Sequence, residues 1–353
     1  MPIVRSAAIG LLLLCGSTSL CLAQNGFYGI GDLEGGDTRS TINGLSGDGR
    51  TAVGSSEGPS GTQAVRWTLK NGLETFLSTT DAATSIATAA SHDGSVIVGR
   101  ANTSAYRWSS TDGVHTMNLL GGSNSSAQDV SGDGRTVVGI SSTRAFKWTS
   151  ETGAIELDDG NGNRLSAAAR AVSFDGSIIA GGVNPSQSQG PVYWDADLKL
   201  HPLDLSERPE RGNTLGMTDD GSLYVGSSEG SFGIAFTSTP DGGLSRLPRT
   251  RSDTRATDVS ADGSIIVGYD PNGAIIWLDR SLYRMDAWLE SQHNLDLQGW
   301  QLSSVSAISN DGTVFAGQGF NPQGNLEGWV AIIPTPTSAT LLALAAPILL
   351  RRR

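Results

Sequence analysis

Cysteine, lysine and charged residues in general are scarce in this chain. Among its 353 residues there are two cysteines and three lysines, and 17% of the residues are charged. Surface helices are usually rich in glutamate and lysine, so this composition disfavours a helical protein. Glycine is abundant instead, with 46 residues, and no long apolar run lies in the middle of the chain. Many turns with few charges favour an all-β globular protein.

Both cysteines, Cys15 and Cys21, lie in an N-terminal segment with the features of a secretory signal peptide. Arg5 supplies a positive charge, an apolar run follows from residue 7 to 15, and a Cys-Leu-Ala sequence ends at Ala23. The apolar run is too short to span a bilayer, which disfavours a transmembrane anchor. We therefore predict that signal peptidase removes residues 1–23 after Ala23. The mature protein would then have neither disulfides nor thiol chemistry.

The C-terminal segment, residues 334–353, combines three features in a fixed order. A Pro-Thr-Pro motif comes first, formed by Pro334, Thr335 and Pro336. A short apolar run follows, and the chain ends in the arginine cluster Arg351, Arg352 and Arg353. An apolar run that ends in arginines holds its end on the cytoplasmic side of a membrane. We expect membrane contact through this segment alone.

This order of features resembles the PEP-CTERM sorting signal of Gram-negative bacteria, with Thr335 where that family usually has glutamate. The resemblance implies that an exosortase-type processing enzyme cuts near the prolines. It also implies a location at the cell surface or in the extracellular matrix of a Gram-negative-type bacterium. A plain C-terminal anchor is the alternative, although about 13 apolar residues are short for a stable span.

The charge of the mature chain bears on its partners. The whole chain has a formal net charge of −11, and removal of Arg5 and of the three C-terminal arginines takes it to −15. A strongly acidic protein repels polyanions, so nucleic acid and anionic lipid are disfavoured as partners.

A short Ser/Thr-x-Asp-Gly motif followed by an apolar run occurs seven times. The copies are spaced by 40 to 49 residues, and their aspartates are Asp48, Asp93, Asp133, Asp175, Asp220, Asp262 and Asp311. Each copy is followed by an apolar segment that usually ends in Trp, and further short apolar segments complete about four strands per repeat. A period in the forties with four strands per repeat is typical of a β-propeller blade.

We predict an all-β fold, a seven-bladed β-propeller spanning residues 27–333. The seventh repeat lacks its last strand, and the mature N-terminal sequence resembles the end of a blade. The N-terminal strand is therefore expected to close the ring, which removes an exposed sheet edge. An open β array and two smaller propellers are the alternatives.

The repeats also resemble the HAF family of extracellular repeats. The resemblance rests on segments such as Leu-Leu-Gly-Gly-Ser, Ala-x-Asp-Val-Ser-x-Asp-Gly and Val-Val-Gly, which recur along nearly the whole mature chain. It implies an extracellular propeller-like protein and supplies no established activity.

The repeated aspartate could be a metal ligand, a catalytic acid or a turn residue. A calcium loop needs several oxygen ligands at alternate positions, and each motif supplies one or two. Asp before Gly is typical of a hairpin turn, in which the carboxylate binds local amides and the glycine takes a positive φ. The motif also resembles the sialidase Asp-box, which is a structural hairpin. We interpret all seven aspartates as turn residues and predict no metal and no cofactor.

Sites for chemistry are expected where the repeats differ, around residues 158–163, 204–212 and 280–300. The histidines lie in no catalytic motif, and His92 occupies a turn position that varies among the copies, as an exposed residue would. A segment from Leu282 to His293 has the spacing of a short amphipathic helix that caps one face. Carboxylates outside the repeat that could pair in a glycosidase are Glu207, Glu210, Asp286, Glu290 and Asp296.

Two function hypotheses follow. The first is a non-enzymatic interaction or matrix component of the cell envelope, which would bind an extracellular polysaccharide or an envelope protein. The second is an extracellular carbohydrate-active lyase or hydrolase on the same scaffold, because a fold does not determine a function.

Overall fold

The computed structural model describes residues 25–77, 83–117, 121, 124–183, 190–203, 211–229, 233–241, 243–249 and 253–334. Within this part of the chain, 28 strands form seven antiparallel four-stranded sheets, and one helix connects two of them. The prediction of an all-β seven-bladed propeller is confirmed.

In the first four blades the strands follow chain order from the axis outward. They are β2 Ser40–Leu45, β3 Ala52–Gly58, β4 Gly61–Thr68 and β5 Gly72–Thr75; β6 Ser85–Ala90, β7 Val96–Ala101, β8 Ser104–Ser109 and β9 Gly113–Thr116; β10 Ser125–Val130, β11 Val137–Ser141, β12 Arg144–Thr149 and β13 Gly153–Glu156; and β14 Ala167–Val172, β15 Ile179–Val183, β16 Pro191–Trp194 and β17 Leu200–Pro202.

Blades 5 and 6 repeat this order, whereas blade 7 combines both ends of the propeller. The strands are β18 Arg211–Met217, β19 Tyr224–Glu229, β20 Ala235–Ser238 and β21 Ser245–Arg246; β22 Arg255–Val259, β23 Ile265–Asp270, β24 Gly273–Leu278 and β25 Ser281–Arg284; and β26 Gln301–Ile308, β27 Val314–Phe320, β28 Leu326–Ile332 and β1 Gly26–Gly29.

The N-terminal strand β1 is the outermost strand of blade 7. It pairs antiparallel with β28, with Gly26 opposite Ile332 and Gly29 opposite Trp329. Phe27 packs its ring against Trp300 and Trp329, at centroid distances of 5.4 and 5.8 Å. The first strand thus completes the last blade, as the short seventh repeat indicates.

The hydrophobic core lies between neighbouring blades. Each innermost strand contacts the innermost strands of both adjacent blades, and β2 contacts β26 to complete the circle. One cluster joins blades 7 and 1, where Ile42 and Trp67 pack with Val330. The apolar runs that recur in each repeat are buried on both faces because each sheet is covered by a blade on either side.

Every innermost strand carries a β-bulge at the same position, and a glycine of the second strand lies opposite it. In blade 3 the register shifts between Ala127 and Asp129, and Gly139 pairs with Ala127. A Cβ on Gly139 would collide with the carbonyl oxygen of Ser126. The glycine that ends each motif is therefore required by close backbone approach.

The inserted segment between blades 6 and 7 contains the helix α1, Met285–His293. It begins three residues later than the expected segment because residues 281–284 form β25, the outer strand of blade 6. Met285, Trp288 and Leu289 are buried, and Trp288 meets Phe315 of blade 7 edge to face at 5.5 Å. The helix packs against blades 6 and 7 where they meet.

Phe27→Ala tests closure by the first strand. We expect the free energy of unfolding to fall by about 3 kcal/mol, because a buried aromatic side chain is lost from the contact between β1 and blade 7. Chemical denaturation measures the loss. Phe320→Ala is the matched control, since Phe320 is 45% exposed, and it should cost under about 0.5 kcal/mol. Equal effects would contradict this account of closure.

Candidate functional site

The propeller has two different ends, which the repeat defines. The turn face carries the seven Asp-Gly turns, which join the first and second strands of each blade. The loop face is the opposite end, where the second and third strands are joined and where successive blades are connected.

The seven motif aspartates share one geometry on the turn face. In each turn the aspartate Oδ1 accepts the hydroxyl of the Ser or Thr two residues before it and the backbone N–H two residues after it, at 2.6–3.0 Å. The following glycine has a φ near +70°. Each carboxylate is thus occupied by its own turn, which is the structural role that an Asp-Gly turn favours.

The turns are also linked to one another around the axis. A backbone N–H of one turn donates to a backbone carbonyl oxygen of the next turn. The donor is either the motif aspartate or the variable residue just before it. The donor and acceptor pairs are Asp48 to His92, His92 to Gly132, Asp133 to Phe174, Phe174 to Asp219, Ala261 to Asn310 and Asn310 to Gly47. This variable position therefore faces its counterparts in other blades. It is not the independent exposed site that the sequence predicts for His92.

Four of these variable residues, His92, Phe174, Asp219 and Asn310, form what we call the axial cluster. The Asn310 amide donates to Asp219 Oδ2 and lies 3.4 Å from His92 Nδ1, and the ring of His92 meets Phe174 edge to face at 5.5 Å. The members come from blades 2, 4, 5 and 7. Because blades that are not neighbours can meet only across the axis, the cluster covers the channel at the turn face.

Two half-buried carboxylates lie directly after the bulges of blades 3 and 6. Asp129 Oδ2 accepts the backbone N–H of Val172 in blade 4 at 2.8 Å, and Asp258 Oδ2 accepts that of Ile308 in blade 7 at 2.9 Å. Burial raises the pKa of Asp129 to about 6 and that of Asp258 to about 7, although these backbone donors oppose the shift. Each carboxylate joins two blades.

A pocket of about 280 Å³ opens on the loop face between blades 3, 4 and 5. Its polar side chains are those of Arg170, Ser142, Thr143, Ser166 and Asn213. Small residues complete the wall, among them Ala167, Ala168, Gly182 and Gly212. Arg170 is the one charged residue in this described lining.

The other carboxylates that the sequence singles out are not assembled into a pair by any contact within the described residues. Asp286 accepts the N–H of Ala287 at the start of α1, Glu290 is exposed on that helix, and Asp296 accepts the N–H of Gln298. Glu207 and Glu210 lie outside the described residues.

The acidic loop at residues 158–163 folds onto itself. Asp159 accepts three hydrogen bonds, two from backbone N–H groups and one from the Asn163 amide at 2.7 Å. These bonds lower the pKa of Asp159. In the part of the chain that the structure describes, no group of three or more His, Cys, Asp or Glu side chains is arranged to hold a metal ion.

The terminal processing sites fall mostly outside the described residues. This holds for Ala23, Thr335, Pro336, Arg351, Arg352 and Arg353. Pro334 is described and exposed, and Ile333 before it donates its N–H to Thr313 O on the turn face. Among the described residues no helix is long and apolar enough to cross a bilayer.

The fold defines the protein as a seven-bladed β-propeller. No family model matches the chain, and no curated protein matches it at a significant level. Among solved structures it is similar to an oligogalacturonate lyase from Vibrio parahaemolyticus, with a TM-score of 0.58, 11% identity, and coverage of 88% of this chain and 94% of the other. It is also similar to an oligogalacturonate lyase in complex with manganese, with a TM-score of 0.57, 12% identity, and coverage of 84% of this chain and 90% of the other. At these identities the likeness shows the fold alone.

The raised pKa values of Asp129 and Asp258 predict a pH-dependent stability. Between the ordinary value near 4 and the folded values, the folded protein holds more protons than the unfolded chain. The contribution of these two groups to stability is therefore greatest at acidic pH, declines as the pH rises through about 6 and 7, and levels off above that.

Asp258→Asn should remove the part of this decline that belongs to Asp258. Urea denaturation from pH 4.5 to 8 measures it, and wild type should lose stability relative to the variant as the pH rises. Asp296→Asn, at an exposed position, is the control and should give an offset that is constant with pH. A constant offset for Asp258→Asn as well would refute the prediction.

Proposed function

We propose that this chain is an exported, non-enzymatic β-propeller that serves as an interaction or matrix component of the cell envelope. The observation that carries the proposal is the pocket on the loop face, whose described lining combines one cation with neutral hydrogen-bonding groups. Such a lining suits recognition of a ligand. The described part of this lining contains no His, Asp or Glu that could act as a general base.

The ionisable groups at the axis support binding rather than catalysis. Asp219 and Asn310 bind each other, and Asp129 and Asp258 accept backbone N–H groups of neighbouring blades. A catalytic carboxylate must reach the reacting group, whereas these oxygens are occupied in holding the ring together. The similarity in fold to oligogalacturonate lyases keeps a carbohydrate-active lyase as the rival hypothesis.

The positions of the chain ends support sorting through the C-terminal segment. Gly26 and Ile332 are paired, so both ends of the propeller leave from the turn face of blade 7. Six residues lie between Pro334 and Leu341, where the apolar run starts, and the chain between these two residues spans at most about 25 Å. A tail held in a membrane would place the turn face toward that membrane and the pocket away from it.

Pro334→Ala combined with Pro336→Ala tests the sorting proposal. We expect the protein to keep its C-terminal segment and remain membrane-associated, because the processing enzyme no longer recognises the motif. Mass spectrometry and cell fractionation measure the outcome. Pro322→Ala, at an exposed loop-face position, is the matched control and should be processed normally. A wild-type chain that retains its tail would favour a plain anchor, and unchanged removal of the tail from the double variant would contradict recognition of the prolines.

Incubation of the mature protein with a panel of polysaccharides tests the proposed role. We expect retention of the protein on at least one polymer and no change in polymer length. Affinity electrophoresis detects binding, and chromatography with ultraviolet detection reveals shortened or unsaturated products. Formation of such products, and their loss in His92→Gln, would establish an enzyme whose chemistry lies at the axial cluster. A failure to bind any polymer would leave an envelope protein as the partner to be tested.

A further inference from the structure

The variable position of the turns carries an exposed aromatic ring at the axis. The residues at this position in blades 1 to 7 are Gly47, His92, Gly132, Phe174, Asp219, Ala261 and Asn310. Phe174 is the one large apolar side chain in this set, and it is 40% exposed. The centre of the turn face therefore combines an accessible aromatic ring with the polar groups of the axial cluster.

The ring of Phe174 is held by its neighbours in the ring of turns. It lies against Gly132, where a Cβ would collide with it, and it meets the ring of His92 edge to face at 5.5 Å. Gly47 makes room in the same way for His92 and Asn310. The two glycines thus allow larger side chains to converge on the axis. An aromatic ring held in this way can bind a cation over its face with little further loss of side-chain entropy.

Two side-chain oxygens of the axial cluster remain open. Asn310 donates its amide nitrogen to Asp219 Oδ2. The Oδ1 atoms of Asn310 and Asp219 make no hydrogen bond within the described part of the chain, and both are accessible to solvent. Each of these oxygens can only accept a hydrogen bond, and that of Asp219 shares a negative charge. The site therefore favours a ligand that donates hydrogen bonds and is positively charged.

Negative charge extends from the axial cluster over the turns of blades 5, 6 and 7. The motif aspartates of these blades are Asp220, Asp262 and Asp311. None of the three turns contains an arginine or a lysine, whereas Arg50 and Arg135 lie beside the motif aspartates of blades 1 and 3. Burial raises the pKa of Asp219, so a cation bound beside this carboxylate would stabilise its charged form.

A primary ammonium group matches these features. It has three N–H donors and no acceptor, so it can donate to the open oxygens of Asp219 and Asn310 and place its charge near the ring of Phe174. A guanidinium is suited to two parallel bonds with a carboxylate, whereas Asp219 has only one open oxygen. A lysine carries its ammonium on a flexible four-carbon stem, which reaches between larger side chains more easily than an ammonium attached directly to a sugar ring.

We propose that the centre of the turn face binds a lysine side chain from a lysine-rich segment of an envelope protein, and that Asp219, Asn310 and Phe174 form the site. The inference rests on the proposed function and specifies the partner. The acidic turns of blades 5, 6 and 7 attract the neighbouring lysines of such a segment and accelerate its association. Removal of the C-terminal segment would free the turn face, which a tail held in a membrane would turn toward the bilayer.

Isothermal titration of the purified mature protein tests the ligand class. The probe is a soluble Gly/Ser peptide with several spaced lysines, and its counterparts carry acetyl-lysine or arginine at the same positions. We expect the acetylated peptide to bind at least about tenfold more weakly, since a charged hydrogen bond is lost, and the arginine peptide to bind more weakly than the lysine peptide. Equal binding of the lysine peptide and either counterpart, or no binding of the lysine peptide, would overturn the proposal.

Asp219→Asn separates the site from the net charge of the protein. We expect the affinity for the lysine peptide to fall at least about tenfold, because the charged acceptor is lost. Asp296→Asn is the matched control, since it removes the same charge at an exposed position between α1 and blade 7, and it should keep wild-type affinity. Equal affinities of the two variants would indicate attraction by net charge alone and overturn the proposed site.

Phe174→Ala tests the aromatic ring without disturbing the core. We expect the affinity for the lysine peptide to fall about two- to fivefold, because the contact between the ammonium and the ring is lost. Phe320→Ala is the matched control, since Phe320 is similarly exposed, at 45%, on the loop face. Wild-type affinity in Phe174→Ala, or an equal loss in Phe320→Ala, would overturn the assignment of the ring.

Ala261→Lys supplies an ammonium group from the protein itself. Ala261 holds the variable position of blade 6, between Asp219 of blade 5 and Asn310 of blade 7. We expect the affinity for the lysine peptide to fall at least about tenfold, while the unfolding midpoint and the affinity of the control Ala261→Ser stay near those of wild type. Unimpaired binding in Ala261→Lys would place the peptide elsewhere and overturn the proposed site.

The polysaccharide panel distinguishes failure of this inference from failure of the proposed function. A protein that binds a polysaccharide without cleaving it and does not bind the lysine peptide would reject the lysine-rich partner and keep the proposed function. Formation of shortened or unsaturated products would reject the proposed function itself.

Discussion

The ring depends on the contact between a bulged innermost strand and the glycine that faces it. In each blade the extra residue of the bulge leaves the ladder, and Gly139 and its equivalents lack the side chain that would collide there. The bulge also strengthens the local twist of the strand. In three blades the extra residue donates a hydrogen bond to the next blade, through Asn43, Thr88 and Thr257. Close packing within a blade and linkage between blades thus arise at the same position.

The hydrogen bonding of polar side chains near the axis follows from the packing of bulges and turns between blades. Side chains at the bulges and turns point toward other blades, where water is scarce, so each needs a partner. Asp129 and Asp258 find it in a backbone N–H of the neighbouring blade, and Asn310 finds it in Asp219 across the axis. The acidic interior is therefore part of the construction of the ring.

Much of the fold could be predicted because each repeat contains its own local signals. Asp133 before Gly134 indicates a hairpin turn wherever it occurs, and a period of 40 to 49 residues indicates blades. The helix after Arg284 was also predictable from its apolar spacing, although its start was not, because pairing with β24 extends the preceding strand. The role of His92 was predicted wrongly, since variation among copies indicates exposure only when the copies do not face one another.

The sequence by itself determined the strands, the turns, the number of blades and the closing strand, because short-range geometry and an internal repeat specify them. Only the tertiary structure decided which residues meet. His92, Asp219 and Asn310 are separated by 91 to 218 residues along the chain, and the pocket around Arg170 combines three blades. When the seven sheets close into a ring, residues at the same position of different repeats meet at the axis. No local sequence pattern specifies which of these side chains face each other there.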